Sequence, residues 1–318
     1  LQPESFNRTI ETMRLIALIS IFVFSSLSHL ATAKSCDLEI SHKKISVEKE
    51  QLVQDLIALS LSKTNYTPCF IENKYKQSLA RRVFDVSVGR ARLTWTGSSP
   101  TAEEHLRAIR IPVFKGLLSH RILIIRKGDQ EKFDNIQKLN DFRILTAGAA
   151  SRWVDRFVLE SAGIKVAVTS GPSQLWPMLA KGRFDYMSFG MIEAWQHFPE
   201  HSDHLAVEEK LILHYPIAFY IYVNKDDDTL YEAIKNGMEA AIKDGSYDKL
   251  LFGSKIIQDA IKKTNIKSRR FIYIDMPDIP KDTPFDRKEL WVDPMSLDKY
   301  LTEADSNENK TIPVAVEN

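Results

Sequence analysis

The sequence has almost no net charge: 43 Lys and Arg stand against 42 Asp and Glu, leaving +1. A chain without a basic excess makes no general field that gathers nucleic acid or an anionic membrane, so neither is expected as a partner. It has no Gly-x-Ser-x-Gly elbow, no His-Glu-x-x-His pair, no glycine-rich phosphate loop and no cysteine in a reactive setting. Hydrolase, zinc-peptidase and nucleotide chemistry therefore lack a local signature, and neither a cofactor nor catalytic residues are expected. It also lacks an unbroken apolar run of the roughly twenty residues that a spanning helix needs. The longest candidate, Leu15 to Phe24, is followed by Ser25, Ser26, Ser28 and His29. There are no internal repeats, and only two cysteines.

What is present near the N-terminus is Met13-Arg14, then that apolar run, then Ala31-Thr32-Ala33. A basic start, an apolar core and a small-x-small site form the layout of a secretory signal peptide. Cleavage is expected after Ala33, with a membrane anchor as the alternative, and the location is then periplasmic. Residues Leu1 to Thr12 precede the basic start and read as upstream of it, so residues 1–33 are set apart from the folded chain. Export would put Cys36 and Cys69 in an oxidising compartment. There they read as one disulfide tying the first strand to the second, two buried thiols being the alternative.

From residue 36 to about 260, strand-like and helix-like segments alternate, which predicts an α/β protein with mainly parallel sheets flanked by helices. Strands are expected at Asp37 to Ile40, Tyr66 to Ile71, Arg92 to Trp95, Arg121 to Ile125, Arg143 to Thr146, Lys165 to Val168, Phe184 to Met187 and Phe219 to Val223. Glu48 to Leu61 and Ser151 to Ala162 carry apolar residues at helical spacing. Two β-rich runs followed by polar turns, Arg121 to Arg126 and Tyr215 to Val223, look like crossings between two lobes. The expected division is lobe 1 over 36–125, lobe 2 over 126–217, a return with C-terminal helices over 218–290, and a disordered tail over 291–318.

Over about residues 38 to 263 the sequence resembles the bacterial extracellular solute-binding proteins of family 3, the type II periplasmic-binding-protein fold. The likeness rests on Tyr222-Val223-Asn224-Lys225-Asp226 before a helix, and on Lys243-Asp244-Gly245-Ser246-Tyr247-Asp248-Lys249-Leu250. Leu179-Ala180-Lys181-Gly182-Arg183-Phe184-Asp185 and Ile111-Pro112-Val113 support it in the right order and spacing. Residues Ile109 to Gln130 and Trp153 to Ile164 are similar to a subgroup of that family. The resemblance implies two lobes joined by two hinge crossings, closing on a small polar solute without covalent chemistry, as a monomer that serves an ABC-type permease. A sensory or partner-presenting module is the alternative, and a dehydratase-like enzyme on the same fold a remoter one.

Amino-acid binders of this family hold the solute's carboxylate with an Arg and its ammonium with a lobe 2 Asp. Counting back from Pro112 puts the Arg position on Glu103, and counting forward from Asp185 puts the Asp position near Gly190. Both anchors are replaced, so the solute is unidentified and an ordinary α-amino acid in the usual pose is in question. Other residues are candidates for the work. Trp95, Thr96, Ser98 and Ser99 leave a predicted strand end, where such sheets place ligand loops. Trp95 reads equally as core. Ser151, Arg152 and Trp153 open a predicted helix whose free N–H groups favour an anion. Ser151 reads also as a plain N-cap. Phe189 and Glu193 follow the next predicted strand, where Glu193 could receive a cation, and Arg110 could pair an anion from lobe 1. His197, Glu200, His201, Asp203 and His204 crowd one segment, but Pro199 breaks the spacing a helical metal site needs, and no metal is expected.

Overall fold

The structure is a computed structural model and describes residues 36–301, apart from 43, 46, 74–76 and 277–278. The expected signal peptide, its cleavage site and residues 302–318 of the tail lie outside the described residues. Both Cys36 and Cys69 are disulfide-bonded, and neither is free.

Lobe 1 begins with β1 (Leu38–His42), α1 (Glu48–Ser62), β2 (Pro68–Glu72), α2 (Leu79–Ser87), β3 (Leu93–Gly97), α3 (Pro100–His105) and β4 (Arg107–Ala108). The α1 helix forms because Leu52, Val53, Leu56, Ile57 and Leu61 recur at helical spacing and are buried together. The first crossing leads into lobe 2: β5 (His120–Arg126), α4 (Gln130–Asp134), α5 (Leu139–Phe142), β6 (Thr146–Ala150), α6 (Val154–Ser161), β7 (Lys165–Thr169), α7 (Leu175–Ala180), β8 (Tyr186–Gly190), α8 (Met191–His197), β9 (Leu205–Val207) and β10 (Leu211–His214). The second crossing returns through β11 (Phe219–Val223) to α9 (Asp228–Lys243), α10 (Ser246–Gly253) and α11 (Lys255–Thr264), and β12 (Arg270–Tyr273) follows.

In lobe 1, β1 and β2 pair in parallel, and β11 lies antiparallel between β3 and β4. The lobe 2 sheet runs β12-β10-β5-β8-β6-β7, with β9 also on β5. Its β6–β7, β6–β8 and β10–β12 pairs are parallel, whereas β5 is antiparallel to β8, β9 and β10. The sheets are thus more mixed than expected, for a topological reason. The strands that carry the chain between lobes, β5 and β11, enter their sheets against the direction of their neighbours. The run Ile122-Leu123-Ile124-Ile125 is fully buried, as a strand covered on both faces requires.

The two crossings lie side by side. His120 pairs with His214, and Ser119 ties the strands: its Oγ donates to the Ile217 carbonyl (3.3 Å) and accepts from the Ile217 N–H (3.0 Å). The imidazoles of His120 and His214 are 4.9 Å apart, centroid to centroid. Burial, then His214, pull the His120 imidazole down to about 3, and burial lowers His214 as well.

The C-terminal part departs from the expected plan. The stretch 218–290, expected as a return to lobe 1 with C-terminal helices, also contains β12, which joins the lobe 2 sheet. The chain then comes back across the molecule. Arg287 forks onto Glu239 of α9 (2.5 and 2.8 Å), the Val292 N–H donates to the Lys115 carbonyl (2.9 Å), and Tyr300 stacks on Phe252 at 3.6 Å. Residues 291–301, expected as disordered tail, include the buried Leu297 in a 3₁₀ turn. A short apolar stretch gains order here by docking on surface that other elements leave bare.

Candidate functional site

The loops that follow β1 and β8 meet where the lobes touch. The Lys49 ammonium, in the first turn of α1, pairs with the Glu193 carboxylate, in the first turn of α8. Lys49 also lies over the Phe219 ring, 5.1 Å from its centroid. Glu193 accepts from the Gly190 N–H (3.3 Å) as well. Burial alone would raise its pKa, but Lys49 and then Arg121 outweigh it and hold the carboxyl at about 2. Gln196, one turn further along α8, sets its side-chain amide against the N–H groups of Glu48 (3.3 Å) and Lys49 (3.2 Å), and the amide orientation that satisfies both ends turns its oxygen to them. That supplies α1 with the cap that Val47 at its N-cap position cannot provide. Alongside lies a cavity of about 300 Å³, bounded by Val47 and Glu48 of lobe 1, Ile192 and Trp195 of α8, and Ile256 and Asp259 of α11.

Deeper in, at the head of β5, Arg121 is buried. It donates to Asp155 and to the Leu118 carbonyl (3.0 Å). Asp155 also accepts from the Tyr215 hydroxyl (2.6 Å) and the Ser188 hydroxyl (3.3 Å). Burial works against the Arg121 charge, but Asp155, ahead of Tyr215 and Glu193, more than restores it, so its pKa is raised. Burial pushes the Tyr215 hydroxyl well up, keeping it a neutral donor. This network ties both crossings to α6.

The expected site residues fall into three groups. Ser98 and Arg110 gather on Glu103: Arg110 donates two parallel bonds of 2.6 Å to its carboxylate, and Ser98 adds one of 3.2 Å. The fork to Glu103 raises the Arg110 pKa. Ser99 caps α3, accepting from the Ala102 N–H (3.2 Å). Trp95 is buried in the core and Thr96 is half-buried on β3 opposite Tyr220.

On lobe 2, Trp153 meets Phe189 edge-on at 5.6 Å, and Trp176 lies parallel to Phe189 at 5.5 Å. His201 stacks on Trp176 at 4.0 Å. Among the described residues no cluster of three His, Cys, Asp or Glu could hold a metal. Ser151 and Arg152 do not open the helix as expected. The strand expected at Arg143 to Thr146 is instead β6 at Thr146 to Ala150, and α6 begins at Val154 with Trp153 in the cap position. Small residues fit a strand here because Phe184 lies on Gly148, where a Cβ would come within 2.3 Å of its ring. Arg152 is exposed, and Ser151 donates its N–H to the Thr169 carbonyl (2.8 Å).

The position counted as the lobe 2 acid, Gly190, is closely packed, so a side chain there would have to push Leu118 aside. A Cβ there would lie 2.5 Å from a Leu118 methyl. Glu193, three residues on, is the acid that meets Lys49. Lys49, Arg121, Tyr215 and Trp176 were not among the expected site residues. Arg121 had a usable signal, since a charge heading an otherwise apolar buried strand needs a partner. Lys49 had none, being one charged residue among several at a helix start.

Comparison with family models finds no match. Comparison with curated proteins finds none either. Solved structures are similar in fold. An ancestral arginine-binding protein bound to arginine is 17% identical, with a TM-score of 0.50 over 68% of this chain and 96% of that one. The chain has the two-lobed type II periplasmic-binding-protein fold. A putative binding component of an ABC transporter from Wolinella succinogenes, complexed with lysine, is 11% identical at a TM-score of 0.51, covering 68% of this chain and 94% of that one. The VFT2 domain of Bordetella pertussis BvgS, as the F375E/Q461E double mutant, is 13% identical at 0.52, covering 67% and 91%. Within this type II fold, Lys49 and Glu193 stand on opposite lobes.

Proposed function

We propose that the chain is an exported, periplasmic binding protein that captures one small polar solute between its lobes, without covalent chemistry, as a monomer serving an ABC-type uptake system. The observation that carries this reading is the charged seam between α1 and α8, where Lys49 of one lobe meets Glu193 of the other. A solute with a cationic group would be received by Glu193, whose carboxyl stays ionised at any physiological pH. The neighbouring cavity of about 300 Å³ is at the lower end of small-molecule sites. Trp153 and Phe189 offer ring faces on lobe 2. Ser98, Ser99 and Arg110 would act from lobe 1, with Arg110 already neutralised by Glu103.

A sensory or partner-presenting module is the second reading, and the fact that the seam is closed by the protein's own charges favours it. A thermal-shift screen of amino acids, amines, aromatic acids and small peptides tests solute capture. At a hundredfold excess over Kd, a true solute stabilises by about 2.7 kcal/mol. Glu193→Gln should abolish the shift by any cationic hit. If every class leaves the midpoint unmoved, solute capture fails, and turnover of a hit would make the protein an enzyme.

A further inference from the structure

The Lys49–Glu193 pair has the composition of a solute contact, but both halves belong to the protein. The carboxylate of Glu193 is fixed on lobe 2 by the Gly190 N–H, and Arg121 lies close enough to pull its pKa down. Only its partner comes from the other lobe. Lys49 reaches it with its side chain 13% exposed, over the ring of Phe219. The same seam is closed a second time where Gln196 of lobe 2 caps the first turn of α1.

We propose that Lys49 is a built-in occupant of the cleft: its ammonium fills the seat on Glu193 that a solute's cationic group would take, and holds the lobes together with no solute bound. This deepens the solute-capture reading and rests on it for the identity of the seat. A ligand that binds one state better shifts the equilibrium toward it, and a tethered side chain does so at a high effective concentration. Lys49 therefore sets specificity as well as closure. A cationic solute must displace it, and a free cation of similar size should replace it when it is removed.

The test measures lobe separation in the full chain with spin labels at Asn236→Cys on α9 and Lys165→Cys on β7. The native cysteines are already bonded. With no added solute, the unsubstituted cleft should give one short distance. Lys49→Met keeps the apolar stem and should raise the open population about tenfold or more. Methylammonium chloride, tested against sodium chloride at equal concentration, should close it again. Glu193→Gln should open the lobes and stay open in methylammonium. The proposal is overturned if Lys49→Met is as closed as the parent, or opens and ignores methylammonium. A solute that binds while Lys49→Met behaves as its parent would sink the latch and leave solute capture intact. Amine-restored closure with no solute found in the screen would do the reverse.

Discussion

Arg110 in lobe 1 and Arg121 at the head of β5 are each hydrogen-bonded to one carboxylate, but in different surroundings, with the exposed Asp282 a further 3.9 Å contact of Arg110. Arg110 forks squarely onto Glu103 at 2.6 Å twice, in a setting that leaves its side chain 28% exposed. Arg121 is 5% exposed, and Asp155 is shared with Tyr215 and Ser188. Water can replace a lost partner at the first arginine and not at the second. Similar charge pairs therefore do different work: the Glu103 pair settles a local conflict in lobe 1, whereas the Asp155 network holds the crossings against lobe 2.

Three measurements sharpen that contrast. Asp155→Ala strands a buried guanidinium and should cost about 3–5 kcal/mol in urea unfolding. A loss near that of an exposed pair would show that water reaches Arg121. Next in size is a pH effect at the crossings. The His120 pKa is about 3 in the folded chain and near 6.5 when unfolded, so the unfolded state takes up the proton first. Stability from this group is complete above pH 6.5 and is lost as the pH falls toward 3, by about 2 kcal/mol between pH 7 and pH 5. His120→Asn should flatten that slope in denaturation curves taken across the range, and an unchanged slope would place the titration elsewhere. Smallest is Glu103→Gln, at about 1 kcal/mol, because the partly exposed Arg110 regains water. A cost as large as that of Asp155→Ala would erase the distinction between the two sites.

The parts of the fold legible in the sequence were those with a strong local pattern. The apolar periodicity of Glu48 to Leu61 gave α1 almost to the residue, and Phe219 to Val223 is β11. The strand expected at Arg143 to Thr146 lies further on, at Thr146 to Ala150, because the small residues Ala147-Gly148-Ala149 carry little strand pattern of their own until the Phe184 ring is seen to lie on Gly148. Strand β12 and the returning segment were missed because their order comes from docking on β10, α9 and Lys115, contacts distant in sequence. Glu193 was picked out in the sequence as an acid near a strand end that could receive a cation. Its partner was not, since nothing in a helix-start lysine announces which lobe it will reach.

Local pattern along the chain carried the alternation of strands and helices and the two crossings, whereas the replacement of both usual anchors at Glu103 and Gly190 was an expectation drawn from the family resemblance alone. The alternation and the crossings follow from periodicity and turn chemistry, which are local. The folded chain, and not local pattern, showed that Arg110 neutralises Glu103, that Leu118 packs tightly on Gly190, and that Lys49 closes on Glu193. Each depends on groups brought together by the lobes and the crossings between them. Charge pairing acts over a few ångströms of space, whatever the separation along the chain.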